Sequence, residues 1–455
     1  MSEQRTIDAC RRKLGLWHVL LIVLCLAIIA FGAFRVAVHV RVRSRINAIG
    51  RAGYPVTLSQ LDESYAMPPF AENAADRITE AFAQIQLPEG QAKERIPLLG
   101  RAQLPPRGQR PDENTTLLTG ELLRDNEAAL RLLREGAAMP HCRYPIDLTE
   151  GLALELPHLK HFKDAAGLLC LEAVWCAEHG DAERATDAIA TSLKVADTLA
   201  EEPVIISQLV RQSCKSRTVS TLEAVLNRTS PTGERLSALQ EALAASYDPN
   251  ATARALAGER CFCNAVFRNP TAPGLSTVSP SRPAAILVAC ARAVGLLDVS
   301  WAIYLDLMDE SIRAAQLEPW RRQEAAEVVQ AQAEEVHKIH VMVHTLMPAG
   351  ARVVTIGVAN LARLQTARTA VAVERYRLTN GRLPERLPDL VPEYLPCIPP
   401  DPFDGAPLRY QKRENGFVVY SVGEDRQDDE GKERPPKRRG SDPQPRYDIT
   451  FIVER

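Results

Sequence analysis

The sequence offers little that marks an enzyme or a nucleic-acid-binding protein. It contains no Walker phosphate loop, no GxSxG or HExxH motif and no glycine fingerprint for a dinucleotide. Aromatic residues make up only 5% of the chain, which argues against stacking surfaces for sugars or bases. The net charge of −2 creates no overall field that would attract nucleic acid. These absences lower the prior for catalysis and predict that nucleic acid is not a partner.

The cysteine pattern gives no support for a disulfide framework, a redox site or a metal site. The ten cysteines are scattered, and none forms a CxxC pair. A chain of 455 residues is large enough to need no disulfide framework. Several cysteines lie in apolar helical sequence, where a free thiol acts as a small hydrophobic group. Cys261 and Cys263 would point about 200° apart on a helix, so they suit neither a redox site nor a metal site.

The strongest single feature is an uninterrupted apolar run from Leu14 to Phe34. A membrane-spanning helix needs about 20 apolar residues, and this run contains no Asp, Glu, Lys or Arg. The alternative is a cleaved signal peptide, whose apolar region usually covers only about 7–15 residues and ends in a small-x-small site. We therefore predict a single-pass membrane anchor with the lipid bilayer as one partner. Basic residues flank the run on both sides, namely Arg11, Arg12, Lys13, Arg35, Arg41, Arg43 and Arg45.

The composition, 45% hydrophobic and 25% charged, is typical of a packed globular protein beyond the anchor. We predict a mainly α fold with an N-terminal tail (1–13), the anchor (14–34), a stem and loop (35–115), an α-helical domain (116–346) and a small α+β module (347–455). The apolar stretch 284–307 is predicted to be a buried helix, because Arg292 and Asp298 would be costly inside a bilayer. A Pro/Gly/Ser linker is expected before it, at 270–283.

Helical hairpins are predicted within the α-helical domain. Residues 163–179 read as one helix, and a second helix follows with apolar residues from Ala185 to Leu199 spaced three and four apart. Gly180 and Asp181 separate the two helices. This tight turn resembles that of a tetratricopeptide-type hairpin, in which a Gly-Asp pair joins two antiparallel helices. The resemblance implies stacked hairpins that could offer a groove to a partner.

The last hundred residues follow a different pattern. A helix from about Ala351 ends at Asn380-Gly381, a left-handed stop signal, and Glu414-Asn415-Gly416 predicts a hairpin before a final strand at 447–453. The stretch from Tyr376 to Pro384 has the form Tyr-x-x-x-x-Gly-x-x-Pro, and an Asp-Pro-aromatic-x-Gly segment and a Ser-x-Gly-x-Asp turn follow it. This order resembles the C-terminal half of type II secretion major pseudopilins. The whole chain also resembles single-pass membrane proteins of planctomycete-like bacteria.

The pseudopilin resemblance implies a calcium site. In that family the loop after the Ser-x-Gly-x-Asp turn binds calcium, and the matching carboxylates here are Asp425, Asp428, Asp429 and Asp448. Calcium takes about 6–8 oxygen ligands from carboxylates, carbonyls and water. An ordinary solvated loop is the alternative. The chain departs from the family pattern in lacking a Gly-Phe-type cleavage site and an early Glu in the apolar helix, so pilus assembly by the usual route is not expected.

A second candidate metal site consists of histidines. A helix is predicted at 318–346. His337, His340 and His344 fall at i, i+3 and i+7 and therefore share one face of it, with Glu334 one turn earlier. Such spacing can hold a transition metal when facing helices supply further ligands. No such partners can be identified from the sequence, and chance placement on a polar helix face is the alternative.

Together these features predict a membrane-anchored scaffold or adaptor that binds protein partners through its helical domain, without a cofactor unless calcium binds. The soluble part is expected outside the cytoplasm, because proteins with this kind of anchor and a pseudopilin-like module usually have it there. The basic flanks nearly balance, so the positive-inside rule gives no orientation of its own. Two alternatives stay open, a metal-dependent enzyme that uses the histidines and a structural component of the cell envelope. The sequence does not indicate the oligomeric state.

Overall fold

The structure, a computed structural model, describes residues 2–269, 282–347, 350–433 and 447–455, and for residues 2–16 and 282–287 it describes the backbone alone. The predicted linker at 270–283 therefore lies outside the described residues up to position 281. The first helices are α1 (Ser2–Arg51), α2 (Leu58–Ser64), α3 (Ala74–Gln84), α4 (Gln91–Glu94), α5 (Glu113–Asp125), α6 (Glu127–Ala138), α7 (Leu159–Glu178) and α8 (Ala182–Asp197).

The remaining helices lead into one small sheet. They are α9 (Ile205–Leu226), α10 (Gly233–Ala245), α11 (Ala251–Arg268), α12 (Arg282–Ala293), α13 (Leu296–Gln316), α14 (Pro319–Glu335), α15 (Val341–Leu346) and α16 (Gly350–Asn380). Short 3-10 helices cover Leu148–Ala153 and Leu387–Leu390. The strands are β1 (Arg409–Arg413), β2 (Gly416–Ser421) and β3 (Ile449–Glu454). The predicted mainly α fold with a small C-terminal sheet is confirmed.

The N-terminal apolar run forms the first half of α1. From Trp17 to Phe34 its side chains are exposed, as expected for a surface that faces lipid. By length and composition the span Trp17–Arg51 could cross a membrane. The stretch Val341–Asn380 passes the same test, but α16 buries Val353, Val358 and Val371 in the protein core. The α16 part of that stretch is therefore a core helix, whereas α1 is a candidate anchor or signal sequence.

The second half of α1 is docked onto α13. Arg35 pairs with Asp298 at 2.8 Å, and Asp306 accepts both Arg41 at 3.1 Å and Arg45 at 2.8 Å. These contacts place the start of α13 beside the end of the apolar run. Three of the basic residues that follow the run therefore have specific carboxylate partners in the folded protein.

Apolar contacts and a buried arginine complete this docking. Val42 and Ile49 pack against Ala302 and Leu305 of α13 in one small buried cluster. Beyond the helix end, the fully buried Arg260 lies over the Tyr54 ring, 5.3 Å from its centroid, and 3.8 Å from Asp309. Tyr54 also accepts a hydrogen bond from Gln316 at 2.7 Å. The stem is thus an integral part of the folded body.

The predicted hairpin turn between α7 and α8 is present. Gly180 adopts φ +78°, which an L side chain rarely tolerates, and the Asp181 side chain caps α8 by accepting the Arg184 N–H at 2.9 Å. A tetratricopeptide-like repeat beyond this hairpin stays a prediction.

Two helix boundaries differ from those predicted. The apolar stretch 284–307 forms two helices, α12 and α13, because Gly295 takes φ +85° between them. The predicted burial holds for α13 but is wrong for the end of α12, where Ala289, Cys290 and Ala293 are exposed. The predicted helix 318–346 is wrong as one unit, since α14 ends at Glu335 and α15 begins only at Val341. The break is stabilised by tertiary contacts, among them a hydrogen bond between Ser300 Oγ and His340 Nδ1 at 2.9 Å.

The C-terminal sheet is antiparallel in the order β1-β2-β3. Glu414 and Asn415 form the two-residue loop between β1 and β2, close to the predicted hairpin position. One face of the sheet, with Phe417 and Phe451, packs against α16. Gly381 with φ +65° follows α16 and confirms the predicted left-handed stop.

One hydrophobic core crosses the predicted boundary at 346/347. It joins Ala173 of α7, Leu222 of α9 and Leu239 of α10 to Val371 of α16 and Phe417 of β2. The side chain of Asn227, just after α9, also donates to the Ile452 carbonyl and accepts the Glu454 N–H, both at 2.7 Å. The α-helical domain and the C-terminal module are therefore packed as one body.

Candidate functional site

A groove of about 560 Å³ lies between α5, α6, α7 and α8. It is formed where the helical hairpin α7–α8 meets the preceding pair α5–α6. The lining side chains are strongly polar, with arginines from three of the four helices. The groove is lined by Gly120, Leu123, Arg124, Glu127, Leu130, Arg131, Arg134, Glu172, Trp175, Arg184 and Asp187.

A buried carboxylate fastens the walls of the groove. Glu172 is only 1% exposed and accepts Arg134 Nη2 at 2.7 Å and Arg184 Nη2 at 3.1 Å. Arg134 Nε also donates to Asp187 at 2.8 Å. These bonds, together called the Glu172 clasp, join α6, α7 and α8. The carboxylates raise the pKa of Arg134 against the opposing effect of its burial, so this guanidinium stays charged.

Two further arginines lie at the rim of the groove. Arg124 at the end of α5 and Arg131 in α6 are both exposed. Arg131 approaches Glu135 at 3.9 Å, which is a weak surface pair. Among the described residues no carboxylate pairs with Arg124. The exposed Glu127 also lines the groove, so four arginines face three carboxylates and the lining carries a small excess of positive charge.

Trp175 supplies the apolar part of the groove. Its ring is half-buried and stacks on His179 with ring centroids 4.0 Å apart. Gly120 of α5 lies directly against it, and a Cβ at that position would be 3.4 Å from Trp175 Nε1. The small residue thus lets α5 and α7 approach each other beside the indole ring.

Sequence reasoning missed this groove. Arg124, Arg131 and Arg134 are spaced seven and three apart, which would signal a common face on one helix. The helix is interrupted at Asn126, however. This residue is fully buried, and its side chain accepts the Gln86 N–H at 2.7 Å and donates to the Gln86 carbonyl at 2.8 Å. The arginines converge through this break and not through helical periodicity.

The four predicted calcium carboxylates lie in or next to one loop, but they do not converge as a set. Asp425 accepts the Gln427 N–H at 3.2 Å, which shapes a local turn. Asp428 accepts the Glu430 N–H at 2.9 Å and Arg409 Nε at 3.2 Å. Within the described ranges no group of three or more His, Cys, Asp or Glu side chains is arranged to hold a metal ion. Calcium binding stays a prediction.

Asp448 is the unusual member of this set. It is 4% exposed, its Oδ2 accepts the Gly431 N–H at 2.8 Å, and its buried Oδ1 has no hydrogen-bond partner among the described residues. Burial first, and then the nearby carboxylates of Asp428 and Asp429, raise the pKa of Asp448 to about 6. At neutral pH this carboxylate is therefore ionised in a place that disfavours its charge.

In the neighbouring part of the module, the guanidinium group of Arg409 forms several ion pairs. Arg409 pairs with Asp401 at 2.9 Å, with Asp404 at 2.5 Å and with Asp428 at 3.2 Å. Asp401 is fully buried and also accepts the Ser421 hydroxyl at 2.7 Å. These bonds tie the Asp-Pro-Phe turn to the end of β2.

The predicted histidines do not share a helix face. His337 and His340 lie in the break between α14 and α15, and only His344 is helical. The ring nitrogens contact the protein: His340 Nδ1 lies 2.9 Å from Ser300 Oγ, and His344 Nε2 lies 2.9 Å from the Val336 carbonyl. Burial and then the other two histidines lower the pKa of His340. The histidines are thus close together, but the helical spacing that motivated the metal site is absent.

Comparison with known proteins adds no family to this description. No family model matches the chain, and neither a curated protein nor a solved structure matches it. The resemblances to pseudopilins and to tetratricopeptide hairpins accordingly stay predictions.

Proposed function

We propose that this protein is a membrane-anchored adaptor that binds an acidic segment of a protein partner in the groove between α5 and α8. The single observation that carries the proposal is the groove itself, whose walls are fastened by the Glu172 clasp and whose rim carries Arg124 and Arg131. A preformed groove costs a ligand less ordering entropy than one that must assemble on binding. Positive rim charge favours an acidic partner and accelerates its association.

The continuity of α1 supports a retained anchor. A signal peptide is removed from the mature protein. Here the helix runs from the apolar run into a stem that contributes Val42 and Ile49 to a buried cluster and Arg35 to an ion pair. Cleavage after the run would leave that stem without its lipid-facing half. The proposal therefore treats residues 14–34 as a single membrane span.

Charge reversal at the rim tests the adaptor role. Full-length protein carrying Arg124→Glu and Arg131→Glu keeps the Glu172 clasp, so it should fold normally. The matched control carries Arg321→Glu and Arg382→Glu, which change the same charge at exposed positions outside the groove. Each protein is purified from native membranes in mild detergent, and associated proteins are quantified.

A stoichiometric partner that is lost from the rim variant and kept by the control supports the adaptor. Its binding should also weaken as salt is raised, because salt screens exposed charges. If the protein is recovered alone even after crosslinking, or if the rim variant keeps the partner, the groove proposal fails. A partner that proves to be a second copy of the chain would favour the envelope-component alternative.

The proposed location of the soluble part is outside the cytoplasm. Cys397 is exposed, whereas six other cysteines are buried as free thiols, so Cys397 can report the side of the membrane. Burial raises the pKa of Cys142 and of Cys214 to about 12, which keeps these thiols unreactive. In protein with Cys10, Cys25 and Cys290 replaced by Ala, a membrane-impermeant maleimide should label intact cells. Labelling only after permeabilisation would place the soluble part in the cytoplasm.

A calcium ion is the one cofactor that a specific observation favours. The unpartnered Oδ1 of Asp448, close to Asp428 and Asp429, is the kind of buried carboxylate that a cation would stabilise. Carbonyls and water would have to supply the remaining ligands. Calcium would act there as a structural ion that orders the loop after β2.

A further inference from the structure

We infer that α12 is a second membrane contact, lying in the interface of the bilayer beside the anchor. The inference goes beyond the proposed adaptor function and rests on α1 being a retained membrane span. The lipid bilayer is the partner of α12, because of the position at which this helix ends relative to α1.

The junction of α12 with α13 touches the end of the apolar run. A Cβ on Gly295 would lie 3.3 Å from Phe34 Cε1 and 2.6 Å from Arg35 Nη1. Arg35 also pairs with Asp298 in the first turn of α13 at 2.8 Å. The apolar run ends at Phe34, so this contact marks the level at which α1 leaves the hydrocarbon. The C-terminal end of α12 lies at that same level.

The sequence of α12 suits this position. Between Arg282 and Leu297 the chain contains no Asp or Glu, and its only charges are Arg282 and Arg292. A helix of 12 residues is about 18 Å long, too short to cross a hydrocarbon core of about 30 Å. A short apolar helix with basic ends instead suits the boundary between headgroups and acyl chains, about 5–10 Å deep.

Apart from Arg292, the exposed side chains between positions 289 and 294 are apolar. Ala289, Cys290 and Ala293 are exposed, and Val294 is 55% exposed although it is a large hydrophobic residue. Phe34 on α1 is itself 45% exposed, so the two surfaces adjoin through Gly295. The lipid-facing surface of the anchor therefore continues onto α12. Arg292 donates to the Arg268 carbonyl at 2.6 Å, which holds this end of α12 against α11.

Cysteine labelling of the full-length protein tests the inference. Three single-site proteins are made in a Cys10→Ala background, each keeping one of the exposed cysteines Cys25, Cys290 and Cys397 and carrying Ala at the other two. The buried cysteines are unchanged. Each protein is labelled with the environment-sensitive fluorophore NBD and reconstituted in phosphatidylcholine–phosphatidylglycerol vesicles. Nitroxide lipids then quench the fluorophore either near the headgroups or near the bilayer centre.

The three sites separate the outcomes. The Cys290 probe should emit at shorter wavelength than the Cys397 probe and be quenched more by the shallow nitroxide than by the deep one. The Cys25 probe, in the middle of the anchor, should be quenched more by the deep nitroxide. If Cys25 responds as expected and Cys290 behaves like Cys397, the α12 contact is wrong while the anchor stands. If Cys25 is not quenched, the anchor fails and the inference fails with it.

A protein partner on α12 would give a different result. A second copy of the chain covering this face would shift the emission of the Cys290 probe but leave it unquenched by either nitroxide lipid, which would overturn the bilayer assignment. As an independent variant, Val294→Asp places a charge on the exposed apolar face without touching the buried core. It should reduce quenching of the Cys290 probe, whereas Val328→Asp, at an exposed valine on α14, should leave it unchanged.

Discussion

Replacing Asp448 by Asn should stabilise the calcium-free protein at neutral pH, although it removes a buried charged residue. Asp448 has a pKa of about 6 in the folded protein, against 3.8 for an ordinary aspartate, chiefly because it is buried. Each unit of pKa shift corresponds to about 1.4 kcal/mol, so the ionised carboxylate costs about 1–3 kcal/mol of folding free energy at pH 7.5. Asn resembles the protonated acid in shape and carries no charge.

The sign of the pH dependence follows from the direction of the shift. A carboxyl whose pKa is raised on folding contributes stability that is fully present below about pH 4. That stability is lost as the pH rises through about 6 and stays lost above it. The stability difference between the Asn variant and the wild type should therefore be small at pH 4 and reach its full value by pH 7.5. Taking the difference between the two proteins cancels the contributions of other titrating groups.

Thermal unfolding of the detergent-solubilised chain, followed by circular dichroism in EDTA, measures this effect. If the shared core makes the chain unfold as one unit, about 1–3 kcal/mol corresponds to a shift in Tm of about 1–3 °C. Calcium should raise the Tm of the wild type at pH 7.5 and have little effect on the Asn variant. Asp425→Asn is the control. Among the described residues its carboxylate accepts the Gln427 N–H alone, so the change should not alter the pH profile.

Two results would refute this reasoning. An Asn variant that is less stable than the wild type at pH 7.5 in EDTA would mean that the charge of Asp448 is well solvated or paired. A wild-type Tm that ignores calcium at pH 7.5, with the predicted pH profile intact, would leave the strained carboxylate but remove the calcium site.

Three further changes test the packing. Glu172→Gln should lower the free energy of unfolding by about 1.5–3 kcal/mol, because it removes the charge from two hydrogen bonds to a buried carboxylate, whereas Asp187→Asn, at an exposed position, should lower it by less than about 1 kcal/mol. Urea unfolding measures both, and equal losses would contradict the Glu172 clasp. Asp298→Arg should loosen the stem and speed its cleavage by trypsin, because it replaces the ion pair with Arg35 by two like charges. Adding Arg35→Asp restores the pair with its charges exchanged and should restore resistance. Unchanged cleavage of the single variant would count against docking of the stem on α13. Gly416→Ala should cost about 1–3 kcal/mol or more in the same urea assay, because the new Cβ would lie 1.8 Å from a backbone oxygen of β3; no loss would show that β3 can move.

Features that are determined by a few neighbouring residues could be predicted from the sequence. The apolar run, the Gly180-Asp181 turn and the stop at Gly381 each need only a few neighbouring residues, and each is present in the structure. The start of α10 shows the limit of such signals. Ser230 followed by Pro231 predicts a helix N-terminus, because serine caps well and proline fits the first turn, but the structure has the Thr232 side chain accepting the Arg235 N–H at 3.3 Å instead. Competing capping residues two positions apart cannot be ranked without the packing around them.

The groove and the broken histidine helix could not be predicted for a different reason. Arg124 and Arg184 are sixty positions apart along the chain, and they line one groove only because α5–α6 pack on α7–α8. The segment between Glu335 and Val341 contains no Gly or Pro, so nothing local ends the helix there. His340 instead meets Ser300 from α13, a tertiary contact that outweighs helical propensity.

The docking of the stem changes what an anchored adaptor can do. A domain on a flexible linker samples a volume set by the length of that linker, and its binding surface takes every orientation to the membrane. Here Arg35 meets Asp298 at the start of α13, and Tyr54 meets Gln316 at its end, so the stem and α13 run side by side over about 30 Å. The body therefore cannot rotate freely about the anchor. In the proposed adaptor, a groove presented in this way would select partners by their distance from the bilayer as well as by charge, because only a segment at the right height would reach Arg124 and Arg131.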